Sequence, residues 1–377
     1  MYKKILLGTG VLTIALIVLA CVFSSRADVV IFSTAEDYRL DQLANDLKQK
    51  FPDKSIAIQY MSTGELRSKL ENEDINTSCD IVFGLEATNA DLLLKSKPGI
   101  LYDMVNDFVG EWAPSNIYDE EVLSTIPEEY YKEGVTCKYH LFDKEAGCIM
   151  VNTKMLQEKS LPIPESFDDL IKPIYEGLIC MPDPVKSGTG YYWLNGFVSC
   201  WGLEATHDYM AKLDKNMMPN GYTPSGSGPL KNLKKGDAAI ALGMSFQAAK
   251  EIYDDPTLPI KMLYFDIKDA DGTIYQKASP YTLYTMGVVN TKWNKEGVRE
   301  VYRYLYEEWI YKDKYMFDPE VIYKKQSTKE FTDLVQTYFG DYSFPTSYMP
   351  MKEIFNGKYK QDLLETWETW RNKNYGD

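Results

Sequence analysis

The fold is decided by the stretch from residue 29 to residue 95, in which short apolar runs alternate with helix-like segments. The apolar runs read VVIFS at residues 29–33, SIAIQY at 55–60 and CDIVFG at 79–84. Runs of this length that are rich in β-branched and aromatic residues predict strands. Between the first two runs, Leu40, Leu43 and Leu47 recur at helical spacing. The resulting βαβαβα order predicts an α/β fold with a parallel sheet and helices on both faces.

The rest of the chain continues this alternation, so we expect two doubly wound α/β lobes. Two longer strand-like runs, residues 139–152 and 284–290, are the predicted crossings of a two-strand hinge. A chain that crosses twice builds one lobe from its two ends and the other from its middle. The predicted segments are residues 29–138 for the first part of lobe 1, 139–288 for lobe 2, and 289–377 for the return to lobe 1 with the C-terminal helices.

The composition limits the class of protein. The chain has 377 residues, a length typical of about two domains. Apolar residues make up 45% and charged residues 25%, which are ordinary values for a globular protein. The formal net charge of −14 argues against a nucleic-acid partner, because such binding needs basic surface to neutralise phosphates. The two histidines, His140 and His207, are too few for most His-based metal or acid–base sites.

The chain begins with an export-signal pattern. A basic start is followed by an uncharged run from Ile5 to Ala20, which is typical of a secretory signal. The run VLAC at residues 18–21 resembles a bacterial lipoprotein signal, in which Cys21 becomes the lipidated first residue. We therefore predict a signal peptide over residues 1–20 and a protein that is attached to the cell membrane only through lipid.

Two other interpretations of this segment stay open. The run SRA at residues 25–27 fits ordinary signal peptidase, and residues 5–23 are long enough for an uncleaved membrane span. All three interpretations place the bulk of the chain outside the cytoplasm, in the periplasm if the cell is Gram-negative. Removal of residues 1–20 changes the net charge from −14 to −16, so any anion site must be built locally, against the overall field.

Five cysteines follow Cys21, an odd number, so at least one is a thiol or pairs between chains. Buried thiols are the favoured interpretation. Bridges between Cys137 and Cys148 or between Cys180 and Cys200 are alternatives that the sequence leaves open. The other cysteine is Cys79.

Three loops rich in hydroxyl groups and glycine each precede a predicted helix. They read STGE at residues 62–65, SGTG at 187–190 and SGSGP at 225–229. The first also fits a capping box of Ser62 with Glu65, which needs no ligand. Helix N-termini present free N–H groups and a partial positive charge, so such loops bind an oxyanion without Lys or Arg. The loops contain no basic residue.

The sequence therefore predicts an anionic organophosphate or phosphonate as ligand. The predicted ligand-binding residues are those of the three loops and of nearby strand ends: Ser33, Thr34, Ser62, Thr63, Gly64, Asp183, Ser187, Gly188, Thr189, Ser225, Gly226, Ser227 and Ser245.

Sequence motifs typical of catalytic or metal sites match this chain only weakly. The run GMSFQ at residues 243–247 lacks the final glycine of a nucleophile elbow. Residues 266–272 superficially resemble a calcium loop, but they lack the closing Glu and predict a solvated hairpin tip. We expect no catalytic residue, no metal site and no cofactor.

Four ordered motifs identify a family. The runs STGEL, DPVKSGTGY, YTPSGSGP and GDAAIALGMSF, which begin at residues 62, 183, 222 and 236, resemble the family 1 extracellular solute-binding proteins of ABC importers. They are most similar to the branch of ferric-iron, 2-aminoethylphosphonate and hexose-phosphate binders. The resemblance covers about residues 29–312. It implies a type II periplasmic-binding-protein fold that closes on a small solute and delivers it to a permease and an ATPase.

The solute remains open at this point. Iron binders of the branch carry paired tyrosines after the strand that matches residues 238–242, where this chain reads GMSFQ. Because Fe³⁺ needs anionic oxygen ligands, the gap weakens the iron interpretation and favours a phosphorus oxyanion. Ferric iron is the alternative solute. An extracellular phosphoesterase and an adhesion or sensor module are the rival classes of function.

Overall fold

A computed structural model describes residues 27–35, 37–311 and 347–375 of the chain. Its strands are β1 (Val29–Ser33), β2 (Ile56–Tyr60), β3 (Ile81–Glu86), β4 (Tyr131–Lys132), β5 (Thr136–Cys137), β6 (His140–Asn152), β7 (Ile179–Pro182), β8 (Met217–Thr223), β9 (Ile240–Met244), β10 (Ile260–Leu263), β11 (Phe265–Lys268), β12 (Ile274–Ser279), β13 (Tyr281–Val288) and β14 (Ser347–Tyr348). Its helices are α1 (Asp37–Lys50), α2 (Thr63–Glu73), α3 (Ala87–Ser96), α4 (Pro114–Ile117), α5 (Glu120–Leu123), α6 (Thr153–Glu158), α7 (Phe167–Leu170), α8 (Gly188–Trp201), α9 (Leu203–Asp214), α10 (Gly228–Lys235), α11 (Ser245–Asp254), α12 (Val298–Glu307) and α13 (Gly357–Tyr375).

The first six elements are the predicted βαβαβα unit. Strand β1 lies between β2 and β3 and is parallel to both, with Ile31 opposite Ile58 on one side and Ile81 on the other. All five residues of β1 are buried, as expected for the central strand of a sheet covered on both faces. The predicted α/β class is confirmed.

The chain divides into two compact units. Among the described residues, unit 1 comprises 27–35, 37–116, 126–142 and 284–311, and unit 2 comprises 117–125, 143–283 and 347–375. Apart from residues 117–125, which group with unit 2, the chain passes between the units within β6 and within β13, the two strands that correspond to the predicted hinge runs.

Residues 289–311 group with unit 1 and residues 347–375 with unit 2, whereas the sequence prediction treated 289–377 as one segment, the return to lobe 1 with the C-terminal helices. Strand β14 pairs with β12, where Ala278 lies opposite Ser347. The Asn195 side chain on α8 donates a hydrogen bond of 2.9 Å to the Lys352 carbonyl. The sequence assignment rested on two predicted hinge crossings, and these long-range contacts leave no local pattern in the sequence.

Unit 2 is built on a mixed sheet. Strand β7 runs parallel to β8 and β9, while β6 runs antiparallel to β9 and β10. The carboxyl ends of β7, β8 and β9 lead into the starts of α8, α10 and α11. This edge of the sheet is where ligands bind in open α/β folds.

Residues 266–272, which were predicted to form a hairpin tip, do form one. Strands β11 and β12 pair in antiparallel fashion, and the Asp269 carboxylate between them accepts bonds from the N–H groups of Asp271 and Thr273 at 3.0 and 2.9 Å.

The five cysteines after Cys21 are all buried. Cys137 and Cys180 donate thiol hydrogen bonds to the carbonyls of Tyr139 and Pro229, so the structure contains neither of the two candidate bridges. Burial raises the pKa of Cys180 and of Cys200 to about 12, which keeps both thiols protonated and unreactive at neutral pH.

The predicted signal segment, residues 1–20, and the lipidation site Cys21 lie outside the described residues. Within the ranges that the structure describes, no helix combines the length and the apolar character that crossing a membrane requires.

Candidate functional site

The loop that precedes α8 is folded back on the end of β7. The Asp183 carbonyl accepts a hydrogen bond of 2.9 Å from the Ser187 N–H. A Cβ atom at Gly190 would lie 2.5 Å from the carbonyl carbon of Asp183, so only glycine fits there. The tight turn holds the first turn of α8, with Thr189 buried on it, against the edge of the sheet.

The second loop of unit 2 packs directly on the first. A Cβ atom at Gly226 would lie 2.3 Å from Thr189 Oγ1 and 2.7 Å from Met244 Cε. The Thr223 hydroxyl stabilises this loop by donating a bond of 2.9 Å to the Ser225 carbonyl. Three chain segments that are distant in sequence, the ends of β7, β8 and β9, are thereby brought together.

Helix starts give this cluster its electrostatic character. Helices α8, α10 and α11 all begin at the same edge of the sheet, and each start presents N–H groups that lack an intrahelical acceptor. Ser187 stands at the N-cap of α8 and makes no capping bond with its hydroxyl. The hydroxyls of Ser225 and Ser227 lie 3.4 Å apart on the exposed side of the second loop. N–H and hydroxyl donors with helix dipoles suit a bound oxyanion.

Two predicted residues of unit 2 are engaged within the protein. One Asp183 carboxylate oxygen accepts a bond of 2.9 Å from the Val185 N–H. The Ser245 hydroxyl is fully buried and donates a bond of 3.1 Å to the Ala146 carbonyl on β6. Both side chains hold the cluster together: Asp183 closes its own loop, and Ser245 fixes the start of α11 on β6.

The predicted loop of unit 1 is a helix cap. The Ser62 hydroxyl accepts a bond of 3.4 Å from the Glu65 N–H, while Glu65 accepts one of 2.9 Å from the Ser62 N–H. This reciprocal pair is the capping box that the sequence offered as the interpretation without a ligand. Gly64 is exposed, and a Cβ atom there would meet nothing within 4 Å.

The other predicted hydroxyl groups of unit 1 also form hydrogen bonds within the protein. Ser33 accepts a bond of 3.1 Å from the Ala35 N–H, and the Thr34 hydroxyl donates to the Gly84 carbonyl. Thr63 Oγ1 accepts a bond of 3.2 Å from the Glu86 N–H. These contacts fix the carboxyl ends of β1 and β3 and the start of α2.

Glu86 is a buried carboxylate that sequence reasoning missed. It lies at the N-cap of α3, where its oxygens accept bonds from the Thr88 N–H, the Thr88 hydroxyl and the Asn89 amide at 3.2, 2.5 and 3.0 Å. The backbone N–H of Glu86 also donates to Thr63 Oγ1 at 3.2 Å, so an acidic residue adjoins the start of α2. The available signal was an acidic residue directly after an apolar strand run.

Acidic, cysteine and histidine side chains are dispersed in the part of the chain that the structure describes. In the described ranges no group of three or more His, Cys, Asp or Glu side chains is placed to hold a metal ion. His140 is buried in unit 1, where it lies 3.0 Å from the Tyr302 hydroxyl, and His207 stacks on Trp370 in unit 2. Neither histidine contact involves Ser245, the serine of the GMSFQ run.

Comparison with known structures identifies the fold. AfuA from Actinobacillus pleuropneumoniae, solved with exogenous fructose-6-phosphate bound, superimposes with a TM-score of 0.65 at 17% identity, over 90% of this chain and 97% of that chain. The apo ferric ion-binding protein A of Pasteurella haemolytica superimposes with a TM-score of 0.64 at 14% identity, over 93% of this chain and 99% of that one. The predicted type II periplasmic-binding-protein fold is confirmed.

Sequence comparison identifies the family. An uncharacterized protein of Haemophilus influenzae is 24% identical over 231 residues, which are 60% of this chain and 61% of that protein. The chain thus spans about three fifths of the length of that curated relative. The model of the bacterial extracellular solute-binding proteins matches residues 33–308. The match covers well over half of the chain and agrees with the resemblance carried by the four motifs, so the chain belongs to the family of bacterial extracellular solute-binding proteins.

Proposed function

We propose that the protein is the solute-binding component of an ABC importer and that its solute is a small organophosphate or phosphonate. It works outside the cytoplasm, is held at the membrane by a lipid on Cys21, and delivers the solute to a cognate permease and ATPase. Family membership supports the transport role. The role needs no catalytic step and no cofactor.

One observation carries the choice of solute: the loops of unit 2 meet at a single edge of its sheet, with Gly226 against Thr189 and Met244. We propose that the oxyanion is bound there by the free N–H groups of the α8 and α10 starts and by the hydroxyls of Ser187, Thr189, Ser225 and Ser227. Charge-assisted hydrogen bonds of this kind each contribute about 1.5–3 kcal/mol. The structures of known proteins with this fold include one with a sugar phosphate bound, which is consistent with the proposal.

The predicted residues of unit 1, Ser33, Thr34, Ser62, Thr63 and Gly64, stay in the proposal with a smaller part. Their hydroxyls already make bonds within the protein, and Glu86 lies next to Thr63. We therefore rank these five residues behind those of unit 2 as ligand-binding residues.

Ferric ion is the competing solute. The fold is shared with ferric ion-binding proteins, which keeps this candidate open. Fe³⁺ needs anionic oxygen ligands, whereas the segment after β9 begins with Met244, the buried Ser245 and Phe246. Iron is therefore the second candidate solute.

The experiment removes one donor without changing shape. In Thr189→Val, the hydroxyl of a buried threonine becomes a methyl group, and we expect affinity for the bound phosphorus compound to fall roughly 10- to 100-fold by calorimetry. The matched control is Thr206→Val, also a buried threonine on a helix of unit 2, whose hydroxyl donates to the Gly202 carbonyl at 2.8 Å. Equal affinities for Thr189→Val and wild type would remove Thr189 from the site.

The rival enzyme class is tested in the same samples. An extracellular phosphoesterase would release inorganic phosphate from a phosphate ester during the titration, and a colorimetric phosphate assay detects that release. We expect the ester to be recovered intact.

A further inference from the structure

The loop cluster of unit 2, formed by residues 187–190 and 225–228, contains two buried hydroxyl groups, those of Ser187 and Thr189. Ser187 is 8% exposed and Thr189 is 6% exposed. Within the ranges that the structure describes, neither hydroxyl makes a hydrogen bond. Buried hydroxyls normally have a partner, so these two suit the acceptor atoms of a solute. Hydroxyls and helix starts supply partial charges only.

Lys186 places a full positive charge beside this cluster. It directly precedes Ser187, the N-cap of α8. Its side chain is 66% exposed, and its Nζ lies 4.0 Å from Asp183 Oδ2, which is too far for a hydrogen bond. The Asp183 carboxylate is held in the turn, because its other oxygen accepts the bond of 2.9 Å from the Val185 N–H. Lys186 and Asp183 therefore form an open ion pair at the start of α8.

A second pair of unit 2 shows that the spacing does not dictate this open geometry. Lys172 and Asp169 are also three positions apart, and they precede β7, whereas Asp183 and Lys186 follow it. Lys172 is exposed to a similar degree, yet its Nζ lies 2.5 Å from Asp169 Oδ1. This hydrogen bond raises the pKa of Lys172. The Lys172 ammonium is thus committed to its carboxylate, while a third charge can redirect that of Lys186.

We infer that Lys186 turns from Asp183 to the bound solute and selects a phosphate or phosphonate dianion over a monoanion. This inference rests on the proposed function. Lysine carries its charge on a flexible four-carbon stem, so it reorients readily. A phosphate monoester carries close to two negative charges near pH 7, which partial charges alone do not match. A cation at the rim also attracts anions to a protein whose net charge is −14.

The test titrates wild type, Lys186→Met and Lys172→Met with inorganic phosphate, fructose 6-phosphate and 2-aminoethylphosphonate by calorimetry. At pH 8 and low salt, we expect Lys186→Met to bind about 3- to 5-fold more weakly to whichever compound wild type binds, because it loses one exposed charge contact. The loss should shrink below about 2-fold at pH 5, where a phosphate ester carries a single charge, and at high salt, which screens exposed charges.

Lys172→Met is the matched control, because it removes an exposed lysine from a pair of the same spacing at the other end of β7. Its affinity should equal that of wild type under every condition. Lys186→Arg keeps the positive charge and should also bind like wild type.

The outcomes separate this inference from the proposed function. If wild type binds none of the three compounds, the proposed function fails and the role of Lys186 fails with it. If wild type binds and Lys186→Met matches it at pH 8 and low salt, the role of Lys186 is refuted while the proposed function stands. The same holds if Lys186→Met loses equal affinity at both pH values and both salt concentrations, since that loss would not depend on charge.

Discussion

Gly226 lies so close to Thr189 that a Cβ atom on the glycine would sit 2.3 Å from Thr189 Oγ1. The two residues are on different loops, one before α10 and one at the start of α8. The absence of a side chain at position 226 is therefore what lets the second loop rest on the first. The Thr189 hydroxyl therefore lies directly against the backbone of the neighbouring loop.

The first prediction follows from that contact. Gly226→Ala should separate the two loops and weaken solute binding by at least 10-fold, because the added methyl group clashes with the threonine and with Met244. Overpacking of this kind costs about 1–3 kcal/mol of stability. The control is Gly99→Ala, where a Cβ atom would meet nothing within 4 Å. Calorimetry and denaturant titration measure both effects, and unchanged affinity in Gly226→Ala would argue against a rigid loop cluster.

The second prediction concerns the pH dependence of stability. His140 is fully buried, with Nδ1 3.0 Å from the Tyr302 hydroxyl and the ring stacked on Tyr306. Burial lowers the pKa of His140 to about 3. The unfolded chain takes up the proton near pH 6.5 and the folded chain only near pH 3. In that window the unfolded state binds more protons, so this residue makes stability fall as the pH falls, by up to about 1.4 kcal/mol per pH unit.

His140→Phe removes the titration while it keeps an aromatic ring in the stack. Tyr302 still donates its hydroxyl to the Met286 carbonyl at 3.0 Å. Urea titrations of wild type and variant from pH 4 to pH 7 should give a shallower loss of stability for the variant. If stability falls equally steeply with pH in wild type and variant, protonation of His140 does not distinguish the folded from the unfolded state in this range, and the prediction is wrong.

The third prediction separates capping from binding at Ser62. Ser62→Ala should lower the free energy of unfolding by about 1 kcal/mol, since it removes the capping bond to the Glu65 N–H. Solute affinity should change much less than in Thr189→Val. Ser68→Ala is the control, because Ser68 is an exposed serine inside the same helix. A tenfold loss of affinity in Ser62→Ala without loss of stability would instead make Ser62 a ligand-binding residue.

The fourth prediction concerns membrane attachment. Cys21→Ala should block lipidation, so that the variant is either released or left unprocessed, because the thiol of Cys21 is the predicted acceptor of the lipid. Cell fractionation with mass spectrometry of the N-terminus distinguishes these outcomes. Processing and membrane retention identical to wild type would exclude the lipoprotein interpretation in favour of an uncleaved span or ordinary cleavage.

Local patterns explain most of what the sequence could predict. The strand runs, the loops that start helices and the capping box at Ser62 are each set by residues within a few positions of one another. The contact between Gly226 and Thr189 joins positions 37 residues apart and leaves no local pattern. A glycine-rich loop suggests close approach, but the sequence cannot say to what.

Lys144 and the C-terminal segment were missed for the same reason. Lys144, which is buried on β6, has its Nζ 3.3 Å from the ring centroid of Tyr348, about 200 positions away in the chain. The sequence signal was three charges inside an apolar strand run, which alone predicts a local irregularity. The sheet pairing that groups residues 347–375 with unit 2 is likewise non-local.

The central claim is that the solute is a phosphorus oxyanion, and a direct titration of the wild-type protein tests it. Calorimetry against a panel of phosphonates and sugar phosphates, beside a ferric titration followed by visible absorbance, measures both candidates on one preparation. We predict saturable binding of at least one phosphorus compound at one site per chain, with no charge-transfer band on addition of iron. Tight ferric binding with a tyrosinate band, and no heat from any phosphorus compound, would contradict the claim.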